Sequence, residues 1–204
     1  MLKLLSRLWG RNSASPKVHS VEEEEILSDA QIIKEYWPVS EEDNQALRRF
    51  VRLITVQLGA EESDRLTTLV MSEREPGDAI EAGINAILDE DGQRRGKWVL
   101  IQVDWKATEE VEWQANELLT AAGIAENWHM ENGTKVTVPH ALVEFSTWVR
   151  PRGFRLLHLD LGDDSYYALL VREDQLEEIV LAAEDAGLDV QESDDFEREQ
   201  LGDC

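Results

Sequence analysis

The chain has 204 residues, and its 43 acidic residues against 20 lysines and arginines give a formal charge of −23. This charge repels DNA, RNA and anionic membranes, so we expect no nucleic-acid partner. A hydrophobic fraction of 42% with seven tryptophans excludes a wholly disordered chain and is enough for one sizeable core. The single cysteine, Cys204, cannot form an intramolecular disulfide, which suits a reducing compartment and favours a cytoplasmic location.

The first 20 residues carry four lysines and arginines and no acidic residue, opposite in sign to the rest of the chain. Basic residues interrupt the leucines of residues 1–11, so this segment lacks the apolar run of a membrane span or a signal peptide. We expect no stable membrane insertion. The segment is interpreted either as a frayed terminus or as a weak contact with a membrane surface. Residues 1–39 are assigned to a basic segment, a linker and a short helix.

Apolar residues at helical spacing predict several helices in the first half of the chain. The clearest has an apolar face of Leu47, Phe50, Val51, Ile54 and Leu58 and ends at Gly59. Shorter helices are predicted near residues 66–70 and 80–88. This part of the chain is therefore predicted to form a helical layer.

The apolar, partly β-branched run at residues 98–103 predicts a buried strand that ends at Asp104. Thr108 is a candidate N-cap for the helix that follows, and Gly123 is placed to end that helix. A carboxylate at the end of a strand is either a ligand-facing group or a loop residue that pairs with Lys106 or caps the helix.

Two more apolar runs, residues 154–161 and 166–171, flank a Gly-Asp-Asp-Ser turn and predict a β-hairpin. A helix and a short strand follow. Residues 192–204 are acidic and poor in apolar groups, which predicts a disordered tail. We therefore predict one α+β domain over residues 40–191, with α/β left open. In it the N-terminal helices pack on a mixed sheet of four or five strands with interleaved helices.

Acidic and aromatic residues at the predicted strand ends form a candidate binding surface. Tryptophan and tyrosine supply much of the energy at protein interfaces, and a negative field steers basic partners toward it. The alternative is that most of these aromatic residues fill the core. The candidate residues are Asp104, Trp105, Asp163, Asp164, Tyr166 and Tyr167.

A divalent-metal site is the alternative use of the same carboxylates. The candidate ligands are Asp104, Asp160, Asp163 and Asp164, which would converge if their two strands were parallel neighbours. Apart from this cation no cofactor is expected. His158 alternates with leucines within a strand, so it is interpreted as a hydrogen-bonded structural histidine rather than a ligand. The chain contains no P-loop, nucleophile elbow or zinc-protease motif, so no catalytic residue is assigned.

Four short motifs resemble, in their order, an uncharacterised bacterial family described as a domain of unknown function, DUF6630. They are residues 103–106, 112–113, 122–124 and 163–167. The resemblance covers roughly Leu47 to Val190. It implies a bacterial, cytosolic, single-domain protein, and it implies no catalytic residues because no activity is established for the family.

The leading hypothesis is a non-enzymatic acidic module that binds a basic protein partner, as inhibitors and immunity proteins do. A metal-dependent hydrolase that uses the aspartates is the alternative. A DNA-mimicking inhibitor is a weaker one, for which the acidic residues should lie along one elongated face. The charge alone also has a simpler explanation, which is solubility.

Overall fold

The computed structural model describes residues 41–73, 80–131 and 136–202, so the basic segment predicted over residues 1–39 lies outside the described part. The described helices are α1 Glu41–Thr55, α2 Ala60–Ser72, α3 Ile80–Asn85, α4 Glu109–Ala121, α5 Val138–Val149, α6 Leu176–Asp185 and α7 Ser193–Leu201. The strands are β1 Leu100–Asp104, β2 Phe154–Asp160, β3 Ser165–Arg172 and β4 Asp189–Glu192. None of these helices is long and apolar enough to cross a membrane.

The four strands form one sheet in the order β1-β3-β2-β4, and each neighbouring pair is antiparallel. The predicted α+β class and the hairpin of β2 and β3 are confirmed. The prediction of a mixed sheet is wrong: the short turn forces β2 and β3 to run in opposite directions, and β1 and β4 each run against their single neighbour. As a result, β1 and β2 point the same way but are separated by β3.

Helices cover both faces of the sheet and bury two separate apolar clusters. On one face, α1, α2, α3 and α6 pack over leucines of β2 and β3, with Leu47 and Phe50 of α1 fully buried. On the other face, α4, α5 and α7 cover Ile101, Val103 and Leu170. The amphipathic face predicted for α1 is confirmed by its buried residues. The sheet is therefore the middle of three layers.

The outer edge of β1 is closed by two glutamine side chains. Gln114 of α4 accepts a bond from the backbone N–H of Gln102 at 2.9 Å and donates to its carbonyl at 2.7 Å. Gln93 accepts from the N–H groups of Val99 and Leu100 and donates to the Leu100 carbonyl at 2.9 Å. These side chains replace a neighbouring strand, because the backbone groups of a buried edge need partners.

The tail that was predicted to be disordered is largely ordered. Its first residue ends β4, and residues 193–201 form α7. Phe196 is 4% exposed, and the Ser193 hydroxyl donates to the Leu156 carbonyl at 2.7 Å. The prediction is wrong because it rested on the low apolar content of the segment alone. The sheet provides a surface on which a single aromatic side chain, Phe196, is buried. Residues 203–204 lie outside the described part.

Candidate functional site

An open cleft of about 1320 Å³ lies at the end of the sheet where β2 leads into β3, and it extends along β4. Among the described residues, β2, the hairpin turn, β4, α6 and α7 contribute eight carboxylates to its lining, and Arg198 is its one lysine or arginine. Arg198 itself forms an ion pair with Asp195. A concave surface lined by charges of one sign concentrates the field, so this cleft attracts cations.

The hairpin turn owes its shape to its own carboxylates. One oxygen of Asp160 accepts a bond from the Gly162 N–H at 2.8 Å, and one oxygen of Asp163 accepts from the Ser165 N–H at 2.8 Å. Gly162 has a φ of +79°, which glycine adopts without steric cost. Asp160 and Asp163 are therefore engaged locally, while Asp164 is exposed at the tip of the turn.

Tyr167 supports the turn from below. It is only 2% exposed, and its hydroxyl donates to the second oxygen of Asp163 at 2.6 Å. The same hydroxyl accepts a bond from the Gln102 amide at 3.2 Å. Burial, followed by the bond to Asp163, raises the pKa of Tyr167, so the hydroxyl stays protonated and keeps donating. Tyr167 thus holds the candidate surface in place and offers little contact area of its own.

Trp105 is the most exposed tryptophan of the described residues, with 52% of its surface accessible. It lies in the lining of the cleft together with Asp163, Asp164 and Tyr166. The Lys106 ammonium lies 4.3 Å from the centre of its ring, in a cation–π contact. Asp104 is not part of the cleft lining, and it accepts a bond from the Lys106 N–H at 2.9 Å. Asp104 thus caps its loop, as in the simpler of the two interpretations.

The four aspartates proposed as metal ligands end up at the same end of the sheet. Asp104 pairs with Ser165 of β3, and Asp160 lies on the far side of β3. Two strand spacings separate the backbones at Asp104 and Asp160 by about 10 Å. Within the ranges that the structure describes, no three His, Cys, Asp or Glu side chains are grouped to hold a metal ion. The parallel neighbours that the metal hypothesis required are absent from this sheet.

His158 also lines the cleft, although the sequence analysis did not include it in the candidate binding surface. It is 3% exposed, and its ring stacks on Phe196 of α7 with 3.7 Å between ring centres and 1° between planes. Neither ring nitrogen has a hydrogen-bond partner among the described residues. The position within a strand is confirmed, but the predicted hydrogen bonding is wrong. Burial lowers the pKa of His158 to about 3, so the ring is neutral.

A second patch of aromatic and acidic residues lies along α4. Trp113 is 47% exposed and packs edge-on against Trp98 at 5.3 Å. Glu112 accepts bonds from the Met130 N–H and from His129, both at 3.0 Å, and these bonds lower the pKa of the Glu112 carboxyl. The adjoining hollow is about 410 Å³. Thr108, the candidate N-cap of α4, occupies that position without a side-chain capping bond.

The fold and the cleft define a class: an α+β protein whose antiparallel sheet ends in an acidic cleft edged by aromatic residues. Residues 46–193 match the family model of the domain of unknown function DUF6630, and the chain belongs to this family. The resemblance inferred from the four motifs is thereby confirmed, and α7 lies almost entirely beyond the matched span. No curated protein and no solved structure matches the chain.

Proposed function

We propose that this protein is a non-enzymatic binding module that holds a basic protein partner in the acidic cleft, in the manner of an inhibitor or immunity protein. The observation that carries the proposal is the composition of the cleft: eight carboxylates and one arginine beside a half-exposed tryptophan. In this proposal the protein acts in the bacterial cytoplasm.

The chemistry of the cleft favours lysine and arginine side chains. Its carboxylates steer a cationic surface toward it, which raises the association rate more than the final affinity. The ring of Trp105 then supplies the apolar area and the cation–π contact that interface hot spots typically provide. The contact between Lys106 and Trp105 shows this chemistry inside the protein itself.

The test compares two triple variants that lose the same groups from different surfaces. The cleft variant is Trp105→Ala, Asp164→Asn, Asp189→Asn. The control variant is Trp113→Ala, Glu109→Gln, Glu131→Gln, on the second patch and the loop that follows α4. Each variant removes one half-exposed tryptophan and two exposed carboxylates. General electrostatic attraction therefore falls equally in both, and only a binding site at the cleft distinguishes them.

Each protein is used to capture partners from a bacterial lysate at low ionic strength, and binding of a synthetic lysine-rich peptide is measured by calorimetry. We expect the wild type and the control variant to retain a common basic protein that the cleft variant loses. The cleft variant should also bind the peptide at least tenfold more weakly than the control variant. Equal loss in both variants, or no captured protein above background, would contradict the proposal.

A further inference from the structure

Helix α7 is held on the sheet by few buried groups. Among its residues only Ser193 and Phe196 are buried. Its other side-chain bonds are exposed: Asp194 pairs with Arg150, Glu199 accepts from Gln191, and Gln200 accepts from the Tyr166 hydroxyl. Exposed pairs of this kind contribute little to stability. The main attachment of α7 is therefore the bond from Ser193 together with the burial of Phe196, which stacks on His158 and packs edge-on against Tyr166.

The charge of α7 opposes this attachment. The helix carries four carboxylates and one arginine, and it packs beside a cleft to which other elements add six more carboxylates. Like charges brought together in this way repel one another and weaken docking. Docking of α7 is thus a balance between the contacts of one buried aromatic side chain, Phe196, and a surrounding repulsion, and a change at the His158 ring can shift it.

Protonation of His158, whose ring stacks on Phe196, would be such a change. A neutral His158 fits its apolar surroundings, although its nitrogens have no partner in the described structure. A protonated ring would bury a charge and two N–H donors without acceptors, which is far more costly. A cation–π contact with the face of Phe196 would offset part of that cost. The Phe196 ring cannot, however, accept hydrogen bonds from both N–H groups of the protonated histidine.

We propose that α7 is a pH-sensitive cap on the cleft, docked while His158 is neutral and released when His158 takes up a proton. Release would open the α7 side of the cleft and free Tyr166 from Gln200. This inference concerns the protein without a partner, so it does not rest on the proposed function. On β2, β3, β4 and α7, the charged and titratable groups that line the cleft with His158 are Asp160, Tyr166, Asp189, Glu192, Asp195, Arg198 and Glu199, and Arg150, just after α5, pairs with Asp194 of α7.

The direction of the pH effect follows from burial, which is the cause of the lowered pKa of His158 in the docked state. In the released state the ring meets water, where a histidine has a pKa of about 6.5. The released state therefore binds the proton first as pH falls. Docking is strongest above about pH 6.5 and weakens as pH falls from about 6.5 toward 3. At about pH 5.0 the ratio of docked to released α7 should be about 30-fold lower than at about pH 7.5.

Amide hydrogen exchange measures this ratio directly. Protection factors, corrected for the intrinsic exchange rate at each pH, are compared for α7 and for the buried helix α1. In the wild type, we expect protection of α7 to fall about 30-fold between about pH 7.5 and 5.0 while that of α1 is retained. The variant His158→Leu should keep α7 protected equally at both pH values, because leucine cannot titrate.

A second variant, Phe196→Ala, separates docking from titration. It should lose protection of α7 at both pH values and retain that of α1, since it removes the contact without touching the histidine. The proposal is overturned if wild-type α7 shows no pH dependence, or if His158→Leu shows the same dependence. It is also overturned if α1 and α7 lose protection together, because the event is then global unfolding rather than release of the cap.

Discussion

At the two edges of the sheet, polar side chains that are equally buried differ in their hydrogen bonding. At the β1 edge, Gln114 is 3% exposed and bonds through both ends of its amide to the backbone of Gln102. Near the β4 edge, His158 is also 3% exposed and has no partner among the described residues. The same degree of burial thus leaves one side chain fully satisfied and the other unsatisfied.

This difference in hydrogen bonding distinguishes an edge with a structural role from one that we expect to respond to pH. Buried polar groups that find partners add rigidity, whereas each one left unpaired costs about 1–3 kcal/mol. Native proteins retain few such groups, and those retained are often associated with function. At Gln102 the β1 edge is therefore held by complete hydrogen bonding, although the buried indole N–H of Trp98, just before β1, has no partner among the described residues. The β4 edge, where the cleft and α7 lie, carries the buried histidine without a partner, and it is the side where we expect a proton to change the structure.

The largest effect is expected from Gln114→Leu. The variant leaves the N–H and C=O groups of Gln102 without partners and should lower the free energy of unfolding by about 2–4 kcal/mol in urea titrations. The matched change at the other edge is Gln191→Leu, which removes an exposed bond to Glu199 and should cost less than about 1 kcal/mol. Similar losses in the two variants would remove the distinction between the edges.

The variant His158→Leu should change the free energy of unfolding in the opposite direction and raise it. It removes two desolvated nitrogens, and the gain is reduced by about 1 kcal/mol for the lost ring stack on Phe196. The free energy of unfolding at pH 7 should rise by about 1 kcal/mol in the same titration. A substantial decrease would show that the histidine has a partner that its surroundings do not reveal.

A smaller effect is expected from Lys106→Gln at the cleft. The variant removes the cation that lies on the Trp105 ring, so a lysine-rich peptide should bind about 2–5-fold more tightly by calorimetry. Arg95→Gln removes the same charge from a side chain that pairs with Glu117. If both variants tighten binding equally, the gain comes from net charge and not from the ring.

No effect is expected from divalent cations. Millimolar Mn²⁺ should leave the melting temperature of the wild type unchanged, because β3 separates Asp104 from Asp160 and their side chains cap local turns. The control is the double variant Asp104→Asn, Asp163→Asn. A rise in the wild type that this variant loses would favour the metal-dependent alternative over the binding module.

Local signals account for what could be predicted of the fold. The helical spacing of Leu47, Phe50, Val51 and Ile54 predicts α1, and two apolar runs around a short turn predict the hairpin. Both predictions are confirmed. The order of α7 could not be predicted in this way, because its composition is that of a solvated tail. The surface on which Phe196 packs includes His158 and Tyr166, which lie 38 and 30 positions earlier in the chain.

The residue types of the candidate site could be predicted from the sequence, but their arrangement in space could not. Exposed turns that carry Trp105, Asp163 and Asp164 are visible in the sequence, and the structure places all three in the cleft. Tyr166 and Tyr167 are consecutive residues of one strand, so they point to opposite faces. Only the packed helices decide that Tyr167 is the buried one.

By itself the sequence determined the charge, the helical faces, the hairpin and the family motifs, because each depends on neighbouring residues or on a simple sum over the chain. Only the tertiary structure decided that β3 lies between β1 and β2, that the acidic residues surround a cleft, and that α7 covers His158. These features depend on contacts between residues far apart in the chain, whose free energies are set by burial and pairing in the folded state.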